Sequence, residues 1–332
     1  MLAFAGALAL VLAACSSGDG GAEPGASESA AAPATSSTSA PFDPVEAEIP
    51  VGGEPIGIAS GEGSLWVVNS EFESAGPGSV SRIDPVTNEV LATIEVGPVP
   101  LEVAVGEGAV WVSNADDDTV SKIDPSSNEV TDTIGVCAAP EGFAVGAGSI
   151  WVVCEDDAVV ARIDPERGRV VSEIEVELQP RFAQFAFGSV WVSNYLDGSI
   201  TRIDPATDEV TATIATEQGP QIMAEADGLL WFSCTDVDVV QAIDPATDEI
   251  VATVETPVAP DGLAFDGATL WVATELGPEL AGIDPATSAI VSNAVVADEG
   301  VINANQVLVF EGGSLWLPIL GDGVVLRVEP PA

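Results

Sequence analysis

Glu141, Arg181, Gln221 and Asp261 stand forty residues apart, one after another along the chain. Residues that recur at a fixed period but differ in type are those that a repeated scaffold leaves free for chemistry. A guanidinium in such company grips an anionic group through paired N–H donors, while carboxylates and amides supply the remaining polar contacts. Without the guanidinium, Glu141 and Asp261 would offer oxygen ligands to a divalent cation such as Ca²⁺ or Mg²⁺. Other chemistries are excluded. The chain has no histidine, which removes Ser-His and Cys-His nucleophiles and all His-ligated metal sites. It carries no CxxC, no GxSxG and no phosphate-cradling glycine loop. The acidic runs Asp116-Asp117-Asp118 and Asp236-Val237-Asp238 lack the Gly and Glu spacing of an EF-hand loop. They read as solvated hairpin turns, with weak Ca²⁺ contact as the alternative.

The scaffold that must position these residues is legible in the tryptophans. They stand at 66, 111, 151, 191, 231, 271 and 316, in steps of 45, 40, 40, 40, 40 and 45. A second marker keeps the same period: Ile-Asp-Pro at 83, 123, 163, 203, 243 and 283, ending in a worn copy, Val328-Glu329-Pro330. A five-residue insertion lying within 72–77 and a connection lengthened by five residues at 301–306 account for the two longer steps. A period near 40 residues is the signature of a β-propeller or a related array.

One unit shows why. Residues 101–105 form a short apolar run, closed by Gly106-Glu107-Gly108, whose glycines tolerate positive φ. Strands follow at 109–114, 119–123 and 129–134, separated by an acidic turn at 115–118 and an Asp-Pro turn at 124–128. Four strands of about five residues with turns every 8–12 residues make a blade, not a βαβ unit. The chain begins its repeats with a fourth-strand pattern at 45–51, and its last repeat stops after a third strand at 324–328. The expected fold is therefore all-β, a seven-bladed β-propeller of four-stranded antiparallel blades over residues 45–332, with the N-terminal strand completing the last blade. Closure of this kind removes exposed sheet edges.

Comparing the repeats locates a candidate site. The residue after each leading proline lines the channel: Ile56, Leu101, Glu141, Arg181, Gln221, Asp261 and, at the matching place, Gln306. Three residues further on, Ala59, Ala104, Ala144, Ala224 and Ala264 are read as a second channel position, broken by Gln184 and Val309. Asn303 and Asn305, in the lengthened last connection, and Tyr195, the single tyrosine, complete the candidate ligand-binding set at one channel mouth. Two readings stand: a merely hydrophilic entrance with Arg181 paired to a neighbouring carboxylate, or a small pocket that grips a ligand.

Composition narrows the partners. With 53 acidic and 8 basic residues, a formal net charge of −45 argues against nucleic acid and against electrostatic docking to anionic lipid. The 47% hydrophobic content fits blades buried on both faces by their neighbours, and each tryptophan reads as an apolar wedge between blades. At the N-terminus, residues 2–14 form an uninterrupted run of apolar and small side chains, too short to span a bilayer but suited to a signal-peptide core. Leu12-Ala13-Ala14-Cys15 resembles the lipobox of bacterial lipoproteins, which implies lipidation of Cys15. Residues 16–44, rich in Ala, Ser, Gly, Pro and Thr, read as a disordered tether. The expected product is an exported monomer, lipid-anchored on the outer face of the bacterial cytoplasmic membrane. Export permits oxidation, and Cys137 and Cys154 fall on one propeller face, which predicts a disulfide contributing about 3 kcal/mol by loop closure. Cys234, two blades away, is expected to be a small buried thiol.

Residues 80–97, Val-Ser-Arg-Ile-Asp-Pro-Val-Thr-Asn-Glu-Val-Leu-Ala-Thr-Ile-Glu-Val-Gly, resemble the repeat of YVTN-type surface-layer propellers. The Gly-Ser-Leu-Trp-Val start at 63–67 is similar to repeats of streptogramin B lyase (virginiamycin B lyase). Those lyases are Mg²⁺-dependent and use catalytic histidines, which this chain lacks. The functional expectation is accordingly a non-catalytic binding or interaction module with no obligatory cofactor, displaying its mouth and acidic loops to a protein partner or small ligand. The alternative is a divalent-metal-dependent lyase or lactonase with a carboxylate-only site.

Overall fold

The computed structural model describes residues 44–72, 76–275, 279–296 and 307–330. The signal segment, Cys15, the tether up to residue 43, Asn303, Asn305 and Gln306 lie outside the described residues. Within them the chain forms seven four-stranded antiparallel sheets. Six are consecutive: blades one to six span residues 55–98, 100–135, 140–175, 180–215, 220–255 and 260–295. In blade four, for example, Pro180–Ala186, Ser189–Asn194, Ser199–Asp204 and Glu209–Ala215 follow one another from the innermost strand outward. The seventh blade is composite. Val309–Glu311, Ser314–Ile319 and Val324–Val328 take Val45–Pro50 as their outer strand. Only two three-residue 3-10 turns, Thr235–Val237 and Leu320–Asp322, interrupt the all-β pattern.

Each tryptophan is completely or almost completely buried and is held at its polar end. The indole N–H donates to a carbonyl at the inner-strand terminus, for instance Trp66 to Gly61 at 3.1 Å and Trp191 to Ala186 at 3.0 Å. Blade six departs from this: Trp271 donates to the Asp266 carboxylate at 2.7 Å. Opposite each indole across the hairpin stands the register read from sequence as a channel position: Ala59 opposite Trp66, Ala144 opposite Trp151, Gln184 opposite Trp191. Gln184 and Val309, at this register in blades four and seven, do line the central cavity, but for the alanines the reading needs correction. Ala59, Ala104, Ala144 and Ala264 pack among the tryptophan clusters between blades. Their small size makes room for an indole, not for strands crowding at the axis.

On the other side of five of the seven indoles lies a cation. Arg82, Lys122, Arg162, Arg202 and Arg327 sit 4.8–5.1 Å above the rings of Trp66, Trp111, Trp151, Trp191 and Trp316. Each also reaches the next blade. Lys122 donates to the Pro165 carbonyl at 2.8 Å. Arg162 donates to Pro205 at 3.1 Å and pairs with Asp208 at 2.7 Å. Arg202 donates to Pro245 at 2.9 Å and pairs with Asp248 at 2.6 Å. Arg82 bonds the Pro125 carbonyl and Asn128, and Arg327 bonds Pro85 and Asn88 across the ring closure. The recurring Asp-Pro turn is thus the acceptor half of a clamp. In blades five and six the cation's place is taken by Ala242 and Gly282.

The closure itself is reinforced in the same place. Glu46 on the N-terminal strand pairs with Arg327 at 2.8 Å and accepts from Ser314 at 2.9 Å, and Glu329 N–H donates to Pro44 at 2.8 Å. Cys137 and Cys154 are disulfide-bonded with Cα atoms 5.7 Å apart. Cys234 is a buried free thiol. We expect Arg202→Ala to lower unfolding free energy by about 2 kcal/mol, combining a lost cation–π contact and lost charge-assisted hydrogen bonds. Urea unfolding followed by tryptophan fluorescence reads this directly, and an unchanged midpoint would show that the blades hold without the clamp.

Candidate functional site

The start of each inner strand is aimed by a tight turn. In blades two to six the residue before the leading proline lies at positive φ: Val99 at 45°, Ala139 at 52°, Gln179 at 55°, Gly219 at 70° and Ala259 at 53°. Its carbonyl accepts the N–H of the residue after the second strand, as in Glu155 to Ala139 (3.0 Å), Tyr195 to Gln179 (2.9 Å), Thr235 to Gly219 (2.9 Å) and Glu275 to Ala259 (2.8 Å). This brace places a second tier, Glu155, Tyr195, Thr235 and Glu275, beside the inner ring of Glu141, Arg181, Gln221 and Asp261. The acidic turns contribute to it. Asp118 and Asp238 carboxylates accept the N–H groups of Ala139 and Ala259, so these aspartates hold loops in place beyond being solvated.

Arg181 is engaged by its neighbours. Its guanidinium lies 4.4 Å over the Tyr195 ring and 3.9 Å from Glu155 Oε1. Tyr195 donates its hydroxyl to Asp236 at 2.8 Å, and Gln179 donates its amide to Glu155. Gln221 donates its amide to Thr235 at 3.0 Å, and Thr235 donates onward to the Pro260 carbonyl at 2.8 Å. Three buried atoms of this ring have no hydrogen-bond partner: Glu141 Oε2, Arg181 Nε and Gln221 Oε1.

Beneath the mouth lies a central cavity of about 220 Å³, lined from all seven blades. Its lining side chains are mostly apolar, Phe143, Phe182, Ile222, Met223 and Leu263 among them, but polar atoms make up about half of the exposed wall, and the polar side chains are Glu102 and Gln184. The sequence comparison included Gln184 but missed Glu102, because Leu101 was taken to represent blade two. The signal was one residue further on: the matching positions are Gly57, Gly142, Phe182, Ile222 and Gly262, and Glu102 is the acid among them. Glu155, Glu275 and Asp236 were missed because their proximity depends on how neighbouring blades converge.

Burial dominates the electrostatics. It pushes Glu102 up to about 8, against the pull of the Val103 N–H and with added repulsion from Asp261. Glu141 is likewise raised to about 8 by burial; Arg181 opposes, while Glu155 and Glu102 reinforce. Glu275 rises to about 7 through burial and the charge of Asp261, partly offset by Arg181. Tyr195 is pushed up to about 12 by burial and its bond to Asp236, so its phenol stays protonated. For a carboxyl whose folded-state value exceeds its unfolded value near 4.5, the folded form binds protons more tightly. The associated stability is fully present below that unfolded value and is lost as pH rises through about 8. The melting temperature is therefore expected to fall between pH 6 and pH 9, and the fall to shrink in the double variant Glu102→Gln, Glu141→Gln. A flat wild-type profile over that window would refute this.

Among the described residues no group of three or more His, Cys, Asp or Glu side chains is placed to hold a metal ion. No protein-family model matches the chain, and no curated protein matches it. Solved structures do. A streptogramin B lyase structure aligns with a TM-score of 0.72 at 18% identity, covering 85% of this chain and 96% of that one. A Kuenenia stuttgartiensis hydrazine synthase chain aligns at 0.71 and 16% identity, covering 83% and 95%. At such identities the likeness is one of fold: the chain is a closed seven-bladed β-propeller.

Proposed function

We propose that this propeller is a binding module, not a catalyst, and that it receives its ligand or partner at the acidic channel mouth. The carrying observation is the set of buried polar atoms without a hydrogen-bond partner on Arg181 and Gln221, beside Glu141, whose carboxyl interacts with Glu155 but leaves Oε2 unbonded. A buried polar atom without a partner costs about 1–3 kcal/mol, and a ligand bonding to it recovers that cost. Scaffold demands do not explain these residues, since the matching positions in blades one and two are Ile56 and Leu101. Catalytic machinery is poorly supported. The mouth has no histidine, and its tyrosine donates to Asp236.

The Leu-Ala-Ala-Cys run before a Ser/Ala/Gly/Pro tract supports the further proposal that the module is exported and lipidated at Cys15. The 80–97 repeat supports kinship with YVTN-type propellers. A second reading is favoured by the fold shared with a streptogramin B lyase: a Mg²⁺- or Ca²⁺-dependent lyase or lactonase using Glu141, Asp261 and adjacent oxygens.

Tyr195 offers a specific test because it is the single tyrosine and stands at the mouth. Full chain labelled with 3-fluorotyrosine should give one ¹⁹F resonance, and a library of small cations, anions and neutral compounds can be titrated against it. The expected result is a shift by a bound compound that is recovered chemically unchanged by mass spectrometry, and weaker binding in Arg181→Met. Conversion of the compound, or a Ca²⁺- or Mg²⁺-induced shift lost in Glu141→Gln, would replace this reading with the enzymatic one. Cells fed radiolabelled palmitate should label the wild-type chain and not Cys15→Ser; equal labelling would overturn the anchor.

A further inference from the structure

We infer that the central cavity binds a protonated amine carried on an apolar body about the size of one aromatic ring, with Glu102 as the residue that holds the ammonium group. This rests on the reading that ligands enter at the mouth, and it names the ligand class. Of the thirteen described lining residues, eleven have hydrocarbon or thioether side chains or are alanine, and among these described residues only Glu102 ionises. An apolar cavity of about 150 Å³ already accepts benzene, so about 220 Å³ leaves room for a ring with a two-carbon arm. Pockets that select small molecules combine such walls with one or two polar anchors.

Glu102 has the properties of an anchor without a resident partner. It is 8% exposed, and one carboxyl oxygen accepts the Val103 N–H at 2.8 Å. It makes no ion pair among the described residues, whereas Arg181 is engaged with Tyr195 and Glu155. The charge that acts on Glu102 from across the ring is acidic, from Asp261 in blade six, and Glu102 in turn opposes ionisation of Glu141 in the adjacent blade three. A cation relieves that conflict, and an anion would worsen it. The neighbouring blade is also shaped for the carboxyl. A Cβ at Gly57 would lie 2.8 Å from Glu102 Oε1 and 2.8 Å from the Leu101 carbonyl, so glycine there keeps space for it. Gln184 supplies a second acceptor through its side-chain carbonyl. Because burial favours the protonated carboxyl, capture of an ammonium ionises Glu102 and releases a proton. Affinity then rises from pH 6 toward pH 9.

Isothermal titration of the full chain at pH 8 with 2-phenylethylamine, 2-phenylethanol and 3-phenylpropionate separates charge from shape. The expected result is one amine per chain, bound at least tenfold more tightly than the alcohol or the acid, with proton release visible as a dependence of heat on buffer. Glu102→Gln mimics the neutral carboxyl and should fold; its melting temperature checks this. It should erase the amine preference at least tenfold while leaving any alcohol binding in place. An amine bound no better than the alcohol, or a preference that survives in Glu102→Gln, would overturn the inference. Binding of none of the three while the Tyr195 resonance answers to another compound would overturn the amine assignment and leave the mouth reading standing. Silence in both experiments would end both.

Discussion

The ring depends on a clamp made where a tryptophan, a cation and a proline carbonyl meet. The tryptophan fills the space between blades, the cation stacks on its face, and the head group bonds the Asp-Pro turn of the next blade. Each element explains another. A small residue lies opposite most of the indoles because the ring needs that space, and the turn carries Asp or Asn at its end in several blades because the guanidinium needs an acceptor. A chain with a net charge of −45 experiences strong self-repulsion, and five of its eight basic residues are used at these seams. With clamps worth roughly 1–2 kcal/mol each, their sum is comparable to the 5–15 kcal/mol by which a domain is stable.

That use of cations shapes the mouth. Arg167 and Arg169 belong to the outer turn and strand of blade three, which leaves Arg181 as the one basic side chain of the inner ring. Arg181 stacks on a tyrosine as the clamp arginines stack on tryptophans, but its charged partner is the Glu155 carboxylate of the second tier. The same pairing of guanidinium and aromatic ring therefore serves two ends. At the seams it closes the ring, and at the mouth it organises charge around a concave surface.

The mouth and the cavity below it differ in character. The mouth is a polar ring with incompletely bonded atoms, held by left-handed turns and backbone braces that recur from blade to blade. The cavity is lined mainly by apolar side chains, with the Glu102 carboxyl and the Gln184 amide among them. Raised carboxyl values follow from this geometry, because a low-dielectric interior penalises the ionised form.

Much of the architecture was legible in the chain itself. A repeat with tryptophan and Ile-Asp-Pro at fixed offsets specifies local strands and turns, and local chemistry is read one unit at a time. Thus the four-strand blade, the number of blades and the closing N-terminal strand could all be inferred within about one residue of their observed limits. The periodic variation at 141, 181, 221 and 261 likewise pointed to one face of the ring. What the sequence could not settle was which side chains meet across blades. Ala59 and Ala144 looked axial and proved to be packed beneath indoles, because one residue of register decides which face of a strand a side chain occupies. Glu102, Glu155 and Glu275 entered the site only through the convergence of separate repeats near the axis. Periodicity determines where each blade places its residues, and only closure of the ring determines which of them become neighbours.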